Sequence, residues 1–310
     1  MSSSSPSEAN TSPAETTAVP GVAATAAAEP VLLLCAHGSR AASAQTATQE
    51  IAAAVSHALP DTDVVLTWVD VQQPDVVARC EEFAERAVVI VPLLLAAGFH
   101  VHQDLAQAVA DRDHHVVTGA LGPDRGLSEL MARRIAEAET PTEAEAGSDA
   151  TSGVVAADPE QQPTLVLIAA GSSDDRAVRD IHSQAADLAE VTGREVRTGF
   201  VSAVQPEAQQ AVAQAWHDGA HHVTAVSFHV APGVFHADAA RAARQTVIGA
   251  PSQHARSGGR ITEPLLVDGR QVPPELVAVV VKRWEEGQAA LAAELAETSE
   301  KAQNLDADWS

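Results

Sequence analysis

Leu32-Leu33-Leu34-Cys35-Ala36-His37-Gly38-Ser39-Arg40 and Val88-Val89-Ile90-Val91-Pro92-Leu93-Leu94-Leu95-Ala96-Ala97-Gly98-Phe99-His100 are each an apolar run of strand length that stops at a glycine near a histidine. Continuous apolar runs bounded by Gly or Pro suit strands buried on both faces, as in a parallel sheet. Ligands of open α/β sheets bind just beyond the carboxyl ends of the strands, which places His37 and His100 on one rim. Neutral imidazole accepts protons and ligates metals. The two histidines are therefore candidates for both roles.

Working outward from these runs, the pattern predicts a strand at Val31–Ala36, a helix over about residues 40–59 and a strand at Val64–Val69 closed by Asp70. Pro74 suits a first helical turn, so a helix is expected over residues 74–86. A strand at Val88–Leu95, a helix over about residues 100–112, a short strand at His115–Val117 and a helix near residues 124–139 follow. Residues 1–29 and 140–163 are rich in small, polar and Pro residues, which reads as a disordered tail and a linker.

After the linker the pattern starts again. Leu165–Ser173 parallels the first strand and turn, Phe200–Pro206 parallels Trp68–Pro74, and Val223–Gly233 parallels the third strand. Gly38 and Gly171, Pro74 and Pro206, and Gly98 and Gly233 are offset by 133, 132 and 135 residues. Three matches in order at a nearly constant offset mark an internal duplication. A helix over about residues 235–248, a loop at 250–260, a strand near Ile261–Val267, a last helix at about 274–297 and a frayed tail at 299–310 complete the reading. The fold class is α/β: two tandem units, 30–139 and 164–298, each a mainly parallel sheet flanked by helices.

The formal net charge of -23 disfavours nucleic acid and anionic membrane surfaces as partners. No apolar stretch of about 20 residues spans a membrane. Two cysteines are too few for a disulfide framework, so a reducing cytoplasm is the simple expectation. Cys35 reads as a small buried strand residue. A serine nucleophile at Ser39 lacks the Gly-x-Ser-x-Gly elbow, and neither Gly-x-Gly-x-x-Gly nor a P-loop occurs.

The two halves differ in their reactive groups. His37 matches Ala170, and Asp70 matches Ser202. His236-Ala237-Asp238 resembles His102-Gln103-Asp104 after a one-residue gap. The first half thus carries the fuller set, and the second supplies a wall of the cleft. Asp104, four residues after His100, is placed to orient that imidazole if both lie on one helix. His57 and His102, and the pairs His114-His115 and His221-His222, read as structural.

Ala36-His37-Gly38-Ser39-Arg40, Trp68-Val69-Asp70 with Pro74, and Val91-Pro92-Leu93-Leu94-Leu95 with Gly98-Phe99-His100 and Asp104 resemble the CbiX/SirB-type sirohydrochlorin chelatases. Phe200-Val201-Ser202-Ala203 with Pro206, and Ala231-Pro232-Gly233, are similar to the second half of two-domain members. The resemblance spans about residues 31–285. It implies a class II chelatase that inserts a divalent metal, Fe²⁺ for sirohaem or Co²⁺ for cobalamin, into a tetrapyrrole without ATP. The metal is a substrate, and no cofactor is bound permanently. The family's metal-site residues map onto His37, His100 and Asp70, where Asp stands in place of the more common Glu. Ser39, Arg40, Gly98, Phe99 and His236 are the expected substrate-binding residues. Arg40 and the backbone N–H groups after Gly38 are candidates to hold a substrate carboxylate. Alternatives are a chelatase for another tetrapyrrole and a non-catalytic tetrapyrrole or metal carrier.

Overall fold

Val31–Ala36 is buried along its whole length and forms β1 at the centre of a sheet. Its neighbours are β2 (Val64–Trp68) and β3 (Val88–Pro92), and β4 (His115–Val117) lies beyond β3. All pairings are parallel, in the order β2-β1-β3-β4. The second half repeats this with β5 (Thr164–Ala169), β6 (Val196–Phe200), β7 (Val223–Phe228) and β8 (Arg260–Ile261), in the order β6-β5-β7-β8. The register repeats as well. Cys35 faces Pro92 as Ile168 faces Ser227, so Leu94 corresponds to His229. The computed structural model describes residues 29–96, 98–140, 162–244 and 259–307, without the side chains of 99–102 and 299–307. The expected tail at 1–28, most of the linker and the loop at 250–258 lie outside the described residues.

The helices are α1 (Ala42–Ala58), α2 (Val76–Glu82), α3 (Phe99–Val109), α4 (Arg125–Glu139), α5 (Asp175–Thr192), α6 (Ala208–His217), α7 (Val234–Arg244) and α8 (Pro274–Ala307). Some bounds depart from the sequence reading. Pro74 lies before α2, because Asp75 is the N-cap and its carboxylate accepts the Ala78 N–H. β3 ends at Pro92, opposite Cys35, the last β1 residue that pairs with β3. The strand expected at Ile261–Val267 shrinks to two residues. Beyond it, Leu265 and Leu266 still donate backbone N–H groups to His229 and Val230. The expected tail at 299–310 is helical as far as Ala307, since no Gly or Pro stops α8. Among the described residues no helix is long and apolar enough to cross a membrane.

Alternation along each strand sorts side chains to two faces. Leu32, Leu34 and Ala36 share one central core with Leu165, Leu167 and Ala169. Val31, Leu33 and Cys35 turn the other way, onto α2 and α3. Val166 and Ile168 pack on α6 and α7. The central layer therefore holds α1, α4, α5 and α8 between the two sheets.

Within that layer the packing crosses the sequence units. α4, from the first half, packs on α5 and β7. α8, at the end of the chain, packs on β3, β4 and α1. Gln184 of α5 is fully buried and binds the Asp124 backbone and Ser128 Oγ at the start of α4. Arg283 of α8 donates to the carbonyls of Ala120 and Leu121 at 2.7 and 3.0 Å. A Cβ built on Gly287 would lie 2.2 Å from Val89 Cγ1, so α8 presses its backbone against β3. Gly287→Ala is expected to lower stability by about 1–3 kcal/mol through overpacking, despite alanine's better helix propensity. A lower midpoint in denaturant titration checks this, and an unchanged midpoint refutes the close packing.

Cys35 and Cys80 are both free and fully buried. Burial, with the neighbouring Cys80, pushes the Cys35 thiol up to about 12, and burial pushes Cys80 up to about 11. The reactive thiolate is thus suppressed at neutral pH. Neither thiol should react with a disulfide reagent at pH 8 in the native protein, and both should react in denaturant. Rapid native labelling would contradict this burial.

Candidate active site

β1 and β3 are parallel neighbours, so the segments that follow them leave the sheet at one edge. β5 and β7 do the same in the second half. These four segments enclose a cleft of about 540 Å³ between the halves, a size typical of small-molecule sites. Leu93, Leu94, Leu95, Ile181, Phe228 and Val230 give it apolar walls. Among the described residues no Asp, Glu, Lys or Arg lines it; its ionisable groups are His37, His229 and His236. Gly98 lies close to the second half, where a Cβ would come 3.0 Å from Ser172 Oγ.

His37 follows β1 directly, is exposed and lines the cleft. Its turn is held tightly. Gly38 has φ +94, and a Cβ there would lie 2.1 Å from the Asp70 carbonyl oxygen; Gly171 repeats this against Ser202. Asp70 N–H donates to the His37 carbonyl at 3.1 Å. Ser39 N–H donates to Gln72 Oε1 at 2.9 Å, and Ser39 Oγ accepts the Ala41 N–H. The Ser39 N–H is thus given to Gln72. The duplication puts Val204 where Gln72 stands, so this tie belongs to the first half.

Asp70 is not brought into the cleft. It is exposed, and its Oδ1 accepts the Val71 N–H at 2.7 Å. That bond helps hold Val71 at φ 68, a left-handed conformation that strains a β-branched residue. Asp70 thereby shapes the turn that presents Gln72 to Ser39. Arg40 is exposed just before α1 and lies outside the cleft lining. Its guanidinium, suited to a substrate carboxylate, was the basis for expecting it there. Gly98 lines the cleft as the N-cap of α3, and Phe99 and His100 are that helix's first two residues. Their side chains lie outside the described residues. Asp104 is exposed one turn further along α3.

His236 lines the cleft from α7, as expected, and is half-buried. It belongs to a group that sequence reasoning missed. Ser227 Oγ lies 2.8 Å from His236 Nδ1 and 2.9 Å from His229 Nδ1. His229 is 7% exposed, and burial, with His236 beside it, pushes its imidazolium down to about 3. His236 is also lowered by burial, with Arg244 adding to the effect and Glu263 opposing it. Both rings are thus neutral at pH 7. The available signal was Ser227-Phe228-His229 at the end of a duplicated strand, where the first half has Pro92-Leu93-Leu94. Among the described residues no three His, Cys, Asp or Glu side chains form a metal-binding group.

The structure is similar to SirB from Bacillus subtilis with Fe3+, at 17% identity and TM-score 0.61, covering 84% of this chain and 95% of that one. SirB from Bacillus subtilis subspecies spizizenii in complex with cobalt matches at 16% identity and TM-score 0.57, over 84% and 95% of the two chains. CbiX, described as the terminal enzyme for biosynthesis of siroheme in denitrifying bacteria, matches at 22% identity and TM-score 0.53, over 83% and 98%. At these identities the likeness shows a shared fold. A comparison with curated protein sequences finds no match. The CbiX family model matches residues 31–138 and 164–247, one segment in each half of the duplication, and the chain belongs to the CbiX family.

Proposed function

We propose that this protein is a sirohydrochlorin chelatase that inserts Fe²⁺ or Co²⁺ into the macrocycle without ATP. The observation that carries the reading is the apolar cleft between the halves, whose ionisable lining among the described residues is imidazole alone. Its apolar walls suit the faces of a flat macrocycle, and neutral imidazole suits divalent iron, cobalt and nickel. Insertion replaces two pyrrole protons with one metal ion, so the site must deliver a cation and accept protons. His37 and His100 hold the metal and take protons, with Ser39, Gly98, Phe99 and His236 against the macrocycle. Family membership and the fold of the SirB and CbiX structures support this assignment. A soluble protein of the cytoplasm, working on two diffusible substrates, completes the proposal.

The test is an anaerobic assay with sirohydrochlorin and Fe²⁺, Co²⁺ or Ni²⁺ in turn. Multiple turnovers above the uncatalysed rate are expected with iron or cobalt. Uptake of one equivalent with no faster insertion would instead make the protein a carrier.

A further inference from the structure

We propose that Ser227 and His229 are positioning residues that fix the proton of His236 on Nε2, so that His236 meets the tetrapyrrole as a neutral N–H donor to a carboxylate and not as a base or a metal ligand. The ligand rests on the tetrapyrrole reading above; the tautomer does not. Two observations carry the inference. Ser227 Oγ lies between two imidazoles, 2.8 Å from His236 Nδ1 and 2.9 Å from His229 Nδ1. His229 Nε2 is enclosed by protein with no hydrogen-bond partner among the described residues, whereas the half-buried His236 ring lines the cleft.

Ser227 Oγ has one proton to give, so one imidazole of the trio donates to it and the other accepts from it. An accepting His229 would carry its own proton on Nε2, as a donor shut away from any acceptor. Orphaned buried donors are rarer than under-satisfied acceptors, and their lost solvation goes uncompensated. His229 therefore donates from Nδ1, and Ser227 donates its own hydroxyl proton to His236 Nδ1. With Nδ1 accepting, the proton of neutral His236 sits on Nε2, the nitrogen that Ser227 does not engage. Burial keeps both rings neutral near pH 7, as this order requires.

The trio is anchored on its buried side. Ser227 N–H donates to Thr262 Oγ1 at 3.0 Å, and both residues are 1% exposed. The His229 carbonyl accepts the Leu265 N–H at 3.0 Å. Phe235 lies nearly parallel to the His229 ring, at 6.4 Å and 14° between planes. The first half has Pro92 and Leu94 where Ser227 and His229 stand, so its wall carries no equivalent pair at these positions. A neutral donor suits this cleft. Sirohydrochlorin is edged with carboxylates, yet among the described residues no Lys or Arg lines the cleft. An uncharged N–H binds a carboxylate without adding positive charge where a divalent cation has to enter. A protonated His236 would repel that cation, and a bare Nε2 would compete for it.

Nitrogen-15 NMR of the full ligand-free chain, labelled at histidine, reads the tautomers directly, since protonated and bare imidazole nitrogens resonate far apart. Through-bond correlation to the backbone assigns the signals without any variant. His229 should be protonated on Nδ1, the opposite of the form that neutral histidine prefers in water, and His236 on Nε2. A bare Nε2 on His236, or an Nε2 proton on His229, overturns this inference alone, because no ligand is present. The second measurement is the Kd of metal-free sirohydrochlorin, read by fluorescence. Loss of one hydrogen bond to a charged group should weaken binding about 10–100-fold in His236→Ala. His236→Gln, which brings an amide N–H to a similar reach, should recover most of that loss. Ser227→Ala should weaken binding several-fold by releasing the ring, with a thermal melt confirming the fold. Parental affinity in His236→Ala, or no recovery in His236→Gln, overturns the donor role. Parental affinity in Ser227→Ala overturns the positioning role. Failure of the parent chain to bind sirohydrochlorin overturns the tetrapyrrole reading and the donor role with it.

Discussion

Replacing His37 or His100 with alanine is expected to remove most of the metal-insertion rate, by about 10²–10⁴-fold for each, the usual worth of a general base or comparable catalytic group. The fold should tolerate the His37 change. His37 is exposed, so its imidazole contributes little packing. The protein also carries its own control. His37→Ala turns Ala36-His37-Gly38-Ser39 into the sequence that Ala169-Ala170-Gly171-Ser172 already has, and that turn is built in the same way at the end of β5. The melting temperature should therefore stay near that of the parent protein while insertion fails. His236→Ala should cost less, since that residue shapes the opposite wall. The measurement is anaerobic insertion kinetics with the spontaneous rate subtracted. Near-parental rates for both first-half variants would reject the histidine mechanism. Loss of activity in His236→Ala with a fully active His37→Ala would move the chemistry to the second half.

Ending the chain before Pro274 is expected to unfold the first half, although the deleted helix follows the second half in sequence. Leu276, Val279, Val280, Trp284 and Leu291 of α8 are all at most 3% exposed. At about 1.5–3 kcal/mol for each large buried side chain, their removal withdraws on the order of 10 kcal/mol from the central core. Whole domains are stable by only about 5–15 kcal/mol. The loss would also expose the faces of β3 and β4 that α8 covers, and release the Ala120–Asp124 turn from Arg283 and Lys282. By the same reasoning, residues 30–139 alone should not fold, because α4 would have lost β7 and α5 as its packing partners. Circular dichroism and limited proteolysis of both truncated chains would check this. A cooperative melt for the isolated first half would show that it can close its core without α8.

Much of the fold was written locally. The central strands are continuous apolar runs because both faces are covered, and β1 begins and ends where that run does. The constant offset between the glycines and prolines of the halves revealed the duplication, and the paired register repeats it residue by residue. The same local logic placed His37 and the backbone of His100 beyond the ends of adjacent parallel strands. Motifs carried by short segments survive in sequence because a turn such as Gly38 or Gly171, pressed against a carbonyl oxygen, admits few residues.

The exchange of α4 and α8 between the sheets left no comparable trace. A helix's apolar face records that it is buried, and says nothing of which sheet buries it. Asp70 was expected in the site through the family resemblance and Arg40 through its guanidinium, whereas the turn's hydrogen bonds and the start of α1 leave them outside the cleft. His229 was invisible for the converse reason. Only folding brings its ring, Ser227 and His236 together, and a single histidine at a strand end resembles many others. The amino-acid sequence by itself determined the strands, their doubling and the rim on which the first-half histidines lie, since these follow from the residues' own spacing and burial. Which helix closes which sheet, and which side chains meet across the cleft, depended on contacts between residues distant in the chain, and those exist only once the core has formed.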